Sequence, residues 1–380
     1  MMGSPLRRSL ILALAVGCGG TSPPGPAAEP IEPPTRTAAE DRGIRTMLLA
    51  VAEAQLCGRL EGSFVALPDE DVASGPAAGA SPAAGRLWIE HCSVTQRGGR
   101  LAMRLSGRGW TWVEQSSVGP VGTSYTVRGH LRFSTTIELL GEIDVAYVQE
   151  RGLVSVWLTP RQAADAVVTP TGAVRVEPDG GWSAFIGALG GAFGASVEER
   201  ALPIIEEEGS HRMAERLTSG FTFTVDLCSG QADTMVGALG NGEVPERPYP
   251  PDGTRWLANQ RVRLRAGGID ASGPFEGGSA PLRVDVDMEE GGDLEVRAFC
   301  LDEAREIVGA FLDGRQDRPP RPRARQRFGL GSPGFLELDG SDCPLVLITT
   351  PRATDAPSPI VFRYRVVDTG ATATALVHCN

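Results

Sequence analysis

The chain has no lysine. All 36 of its basic residues are arginine, which excludes chemistries that need an ε-amino group: the P-loop phosphate clamp, the Schiff base, the kinase lysine and the Ser-x-x-Lys dyad. Histidine is almost as scarce. His91, His130, His211 and His378 are scattered, and no HExxH, GxSxG or Cys/His nucleophile setting surrounds them. No catalytic residue, metal ligand set or cofactor is indicated, and the chain reads as non-enzymatic. Net positive charge is missing as well. The formal charge is -11, and losing Arg7 and Arg8 with a cleaved leader lowers it by two, to -13. An acidic body is a poor partner for nucleic acid or for an anionic bilayer surface. The apolar run Leu10 to Val16 is too short to span a membrane.

What the N-terminus does contain is a secretory pattern: Arg7 and Arg8, then that apolar run, then small residues around Cys18. The segment Leu14-Ala15-Val16-Gly17-Cys18 resembles the lipobox of bacterial lipoproteins. The resemblance implies cleavage after residue 17 and acylation of Cys18, and Gly19 in the following position implies the outer membrane, with the body facing the periplasm or the cell surface. Acyl chains hold a protein to a bilayer without a spanning helix, since each buried methylene contributes roughly 0.8 kcal/mol. Residues 18–42 are rich in Pro and Ala and read as an extended tether.

The other cysteines are Cys57, Cys92, Cys228, Cys300, Cys343 and Cys379. An even number in an exported chain, without a CxxC pair, points to disulfides. Cys57 with Cys92 is the preferred pair, and the other four leave three pairings open.

Periodicity divides the body into residues 43–239 and 254–380, joined by a Pro- and Gly-rich linker, 240–253. An amphipathic helix is expected over residues 40–56, ending at Cys57-Gly58. Period-two alternation then dominates, with a hairpin turn at Gln96-Arg97-Gly98-Gly99 and a long strand over 124–140, in which Leu131, Phe133, Ile137 and Leu139 share one face. A second strand is expected over 142–148. From Trp182 to Val197 no residue is charged, and Trp182, Phe185, Ile186, Leu189 and Phe193 recur at helical steps. The expected fold is therefore α+β: a long-stranded antiparallel sheet wrapped on a long helix, followed by a C-terminal β-sandwich.

Order and pattern over residues 43–235 are similar to the tubular lipid-binding superfamily, that of the bactericidal/permeability-increasing proteins. The resemblance implies a lipid ligand held between sheet and helix; on the stripe itself, Phe185, Ile186, Leu189 and Phe193 would line the seam, with Phe133 facing them and Trp182 at its start. Packing of the same stripe into a dry core is the competing reading. In the second half, Arg318, Arg321, Arg323 and Arg325 fall in an exposed Pro-rich loop, residues 314–329, for which a solvated hairpin without a partner is the competing reading. They offer contacts to phosphate or other anionic groups, because guanidinium pairs bidentately with such oxygens. The acidic run 285–295 does not match a calcium loop, since Glu290 and Val296 stand where Gly and an acid are required. It reads as strand, turn and strand over Gly291-Gly292. Two functions follow: a lipid-binding lipoprotein, or an interaction lipoprotein whose sandwich contacts an envelope protein or glycan.

Overall fold

The computed structural model describes scattered positions between 43 and 60, then residues 61–68, 82–118, 124–148, 153–160, 165–171, 175–178, 210–211, 221–226, 231–236, 255–276, 281–315, 317–331, 334–339, 343–352 and 358–369. Cys18, Cys228, Cys379, the linker 240–253 and the stretch 182–197 lie outside them.

Strands dominate. The first half contributes β1 (Phe64–Pro68), β2 (Ala83–Arg97), β3 (Arg100–Val118), β4 (Ser124–Val148), β5 (Leu153–Pro160), β6 (Asp165–Pro170), β7 (Arg175–Pro178), β8 (Phe221–Asp226) and β9 (Gln231–Val236). The second contributes β10 (Arg255–Leu264), β11 (Asp270–Phe275), β12 (Leu282–Glu290), β13 (Leu294–Cys300), β14 (Ala324–Phe328), β15 (Gly334–Leu338), β16 (Leu345–Pro351) and β17 (Ile360–Asp368). Between β13 and β14 runs a helix, Leu301–Leu312. Thirteen strands form one sheet, with β15-β12-β17-β10 continuing into β2-β3-β4-β5-β8-β9, and β11-β16-β13-β14 form a second. The two halves of the large sheet meet where Val262 of β10 pairs in parallel with Ala83 of β2.

The expected β2–β3 hairpin turn is present. Arg97 pairs with Arg100, and Gly98 and Gly99 take φ of 58° and 76°, the left-handed values of a tight two-residue hairpin. The long strand is longer than its pattern suggested. β4 covers 25 residues and absorbs the second strand expected over 142–148, because Gly141 pairs with Leu101 inside the ladder and makes no turn. The strand changes partners along its length, pairing with β7, β6 and then β5 on one side.

The expectation of a sheet wrapped on a long helix is corrected. The described residues are mostly β, their helices are short, and among them there is no long helix for the sheet to enclose. The long strands need cover on both faces, and each face finds it differently. Odd-numbered Leu101, Met103, Leu105, Leu131, Phe133, Ile137 and Leu139 pack with Leu49 and Leu56 from the helical positions between 43 and 60. On the opposite face, Trp88 and Trp110 pack against Ala304, Val308 and Leu312 of the 301–312 helix and against Phe299, Val346 and Ile348 of the small sheet. A third core lies between the β10, β12, β15 and β17 strands and the small sheet, around Leu282, Val284, Leu294, Val296, Phe362 and Val366. That pair of sheets is a sandwich.

Two disulfides are present among the described residues. Cys57–Cys92 ties the N-terminal helical positions to β2, and Cys300–Cys343 joins the start of the 301–312 helix to the loop before β16. The seam between the halves carries a buried polar knot. Arg86 of β2, fully buried, donates from Nε to Asp270 Oδ1 (2.6 Å) and from Nη2 to Asp270 Oδ2 (3.1 Å) and Tyr364 Oη (3.2 Å). Its Nη1 donates to Gln260 Oε1 at 2.6 Å.

Candidate anion-binding face

The outward side of the small sheet has two unlike ends. Alternation along β13 sends Leu294, Val296 and Ala298 into the sandwich core, so Glu295, Arg297 and Phe299 share the other face. Phe299 is covered by the 301–312 helix and the first sheet. Beyond the helix the described face carries Glu295, Arg297, Arg325 and Arg327 and becomes charged.

There β13 pairs with β14, the edge strand, placing Arg327 opposite Glu295 and Arg325 opposite Arg297. Arg297 Nε donates to Glu295 Oε2 at 2.7 Å, Arg325 Nε donates to Glu295 Oε1 at 2.6 Å, and Arg327 Nε lies 3.5 Å from the same Oε1. Arg297 also reaches Thr350 Oγ1 of β16 at 3.5 Å. Three guanidiniums thus surround one carboxylate and leave two positive charges without a counter-charge inside the cluster.

Glu295 is only 5 % exposed, and much of its cover is the arginines themselves. Burial opposes its ionised form, but hydrogen bonds from Arg297 and Arg325, with their charge, more than offset this and hold its carboxyl below the usual range. The carboxylate therefore acts as a fixed pivot. It turns the guanidiniums side by side while Arg325 and Arg327 keep 52 and 57 % of their side-chain surface in solvent. A shallow, open depression borders Arg325, Gln326 and Arg327 at the edge of the sheet. Such an arrangement offers several charge-assisted donors to one incoming phosphate or carboxylate.

Of the four arginines named from sequence, the structure brings two to this face. Arg325 is in the cluster, and Arg323 stands beside it, its backbone N–H on Ala298 O at 2.8 Å and its Nη2 3.7 Å from Glu303 Oε1 of the helix. Arg318 and Arg321 are exposed in the segment leading to β14. Arg327, from the same arginine-rich stretch, completes the cluster with Arg297 and Glu295, and those last two were not anticipated. Their signal is the alternation Glu295/Arg297 in LEVRAFC and Arg325/Arg327 in ARQRF, which puts like positions of two neighbouring strands on one face. The stretch 314–329, expected as a loop, holds a strand in its second half.

The lipid-seam residues fare differently. Phe133 is 2 % exposed in the first core, with its ring over Gly109 of β3, where a Cβ would come within 2.5 Å of it. Trp182, Phe185, Ile186, Leu189 and Phe193 lie outside the described residues.

No family model matches the chain, and no curated protein matches it. Among solved structures, a glycoside hydrolase family 43 arabinoxylan arabinofuranohydrolase from Bacillus subtilis aligns over 73 % of this chain and 78 % of its own, at 11 % identity and a TM-score of 0.17. An exo-beta-1,3-galactanase from Phanerochaete chrysosporium aligns over 74 % and 82 %, at 6 % identity and a TM-score of 0.15. The SMP domain and tandem C2 domains of Extended-Synaptotagmin 2 align over 86 % and 64 %, at 10 % identity and a TM-score of 0.17. Scores this low do not establish a shared fold, and no property of this chain rests on them.

Proposed function

We propose that this is an exported, lipid-anchored protein of the bacterial outer membrane that acts by binding, without catalysis, and whose C-terminal sandwich grips an anionic glycan of the cell envelope. The observation that carries this reading is the Glu295 pivot, which holds Arg325 and Arg327 on one exposed face of the edge strand with net positive charge on an otherwise acidic chain. Anchoring rests on the lipobox-like segment ending at Cys18. Two disulfides support an oxidising compartment. The glycan reading is preferred to the lipid seam because the described part of the first sheet's apolar face is filled by protein side chains, Phe133 among them.

Titration of the full chain with a delipidated, phosphorylated core oligosaccharide from an outer-membrane glycolipid tests it, with the enzymatically dephosphorylated oligosaccharide as control. Saturable binding that requires the phosphates and weakens as salt rises is expected. Equal binding of the dephosphorylated form, or none of either, contradicts the reading. Cys18→Ser, followed by fractionation of cells grown with labelled palmitate, tests the anchor: the wild type carries label and the variant does not.

A further inference from the structure

Arginine does not stop at the Glu295 cluster. Arg325 and Arg327 alternate along β14, and Arg323, tied to β13 by its N–H on Ala298 O, continues the series on the same face. Successive side chains of that face leave the edge strand at steps of roughly 7 Å. Ahead of them Arg318 and Arg321 are exposed, and each precedes a proline, Pro319 and Pro322, which keeps it out of the helical region. The run from Arg318 to Arg327 is therefore extended, restrained by prolines at one end and by the β13 ladder at the other. Its charges are poorly balanced. Arg325 stands directly opposite Arg297, a like-charge placement that destabilises a sheet. Among the described residues, the run has two carboxylates within ion-pair distance, Glu295 and, 3.7 Å from Arg323, Glu303, and neither reaches Arg318 or Arg321. A fold that crowds like charges on a restrained backbone departs from what stability favours, and such departures mark functional sites.

Building on the glycan reading of the arginine face, we infer that the whole run takes a linear glycan that repeats an anionic group along its length, gripped at several points from Arg318 to Arg327. A compact ligand with one or two phosphates engages Arg325 and Arg327 and leaves the Pro-rich end idle. A chain with one charge per repeat lies along the strand direction and meets a further guanidinium as it extends, the long arginine side chains taking up the difference between its repeat and theirs. Exposed ion pairs are individually weak. On one ligand, however, each later pair forms at high effective concentration, and a restrained array adds little ordering cost. Nucleic acid, the other common linear polyanion, fits worse. Single strands are held by stacking on aromatic rings, and residues 314–327 contain none, while Phe328 is buried. The net charge of -11 also repels a duplex.

Calorimetric titration of the full chain with galacturonate dimer, tetramer and hexamer reads carboxylate chains, and the matching ribitol-phosphate oligomers read phosphodiester chains. At least one hexamer binds saturably, about tenfold or more tighter than its dimer, with a salt dependence that steepens with length. Arg318→Ala/Arg321→Ala weakens that hexamer by about fivefold or more, while circular dichroism reports an unchanged fold. Failure of both hexamers to bind, hexamers no tighter than dimers, or a hexamer affinity unchanged in Arg318→Ala/Arg321→Ala overturns the assignment. So does an oligothymidylate of equal charge that binds as tightly as the better hexamer. The phosphorylated core oligosaccharide, which needs only Arg325 and Arg327, is titrated in parallel, so the arginine face and its extension to Arg318 succeed or fail separately.

Discussion

Arg86 and Asp270 lie 184 positions apart and make a bidentate ion pair inside the seam of the two halves, with Nε to Oδ1 at 2.6 Å and both residues buried. Burial opposes the charge on Arg86, but the Asp270 carboxylate and Tyr364 more than offset it and hold the guanidinium protonated. Burial pushes Asp270 up despite Arg86, and pushes the Tyr364 phenol up to about 12. Removing one partner strands the other. Asp270→Asn is expected to destabilise the protein by about 3–5 kcal/mol, whereas replacing both charges together with apolar residues of similar volume costs far less. Urea unfolding of the single and double variants measures the difference.

His130 is the group through which mild acid acts. Burial lowers its pKa from 6.5, the hydrogen bond between Nε2 and Ala266 O (3.1 Å) partly restores it, and the charges of Arg132 and Arg265 lower it further. Around it pack Trp112 and Phe311. The unfolded chain therefore binds a proton that the folded chain refuses. This contribution to stability is intact above pH 6.5 and is lost as pH falls from there toward the folded value. Urea midpoints measured across that window should decline with falling pH, and His130→Gln should flatten the decline.

Glycine is obligatory at two positions where β2 and β3 approach closely. A Cβ on Gly107 would sit 2.0 Å from the Trp88 carbonyl oxygen, and one on Gly85 2.0 Å from that of Trp110. Neither neighbour is a flexible side-chain tip. Gly107→Ala is expected to cost upwards of about 3 kcal/mol, the severe end of overpacking. Gly98→Ala meets no atom within 4 Å and suffers only from its left-handed φ. Thermal unfolding of the two variants separates the effects.

The Cys57–Cys92 bridge closes 35 residues of chain. Replacing both cysteines with alanine should destabilise the oxidised protein by about 2–5 kcal/mol, read as a lower unfolding temperature. In the reduced wild type that loss should appear without mutation, together with the loss from opening Cys300–Cys343.

Much of this architecture was legible because period two is a strong signal. Leu131, Phe133, Ile137 and Leu139 fall on one alternating face, and Gly98-Gly99 announces its hairpin. Cover was harder to read. Which element buries a strand's face depends on contacts far apart in sequence, so a greasy stripe at 182–197 drew attention, while the modest 301–312 helix and the positions around Leu49 and Leu56 turned out to lie on the sheet. The arginine face was half legible for a related reason. Charge density singled out 314–329, but the residue that organises it, Glu295, is a lone acid on another strand, and pairing register alone brings Arg327 opposite it. The Arg86–Asp270 pair left no local trace at all.

The affinity of the full chain for the phosphorylated core oligosaccharide, compared between the wild type and Arg325→Ala/Arg327→Ala, tests the central claim most directly. Both side chains are more than half exposed, so stability should hardly change. The proposal expects binding in the wild type and at least about a tenfold loss in the double variant. Equal affinity in the two proteins would contradict it.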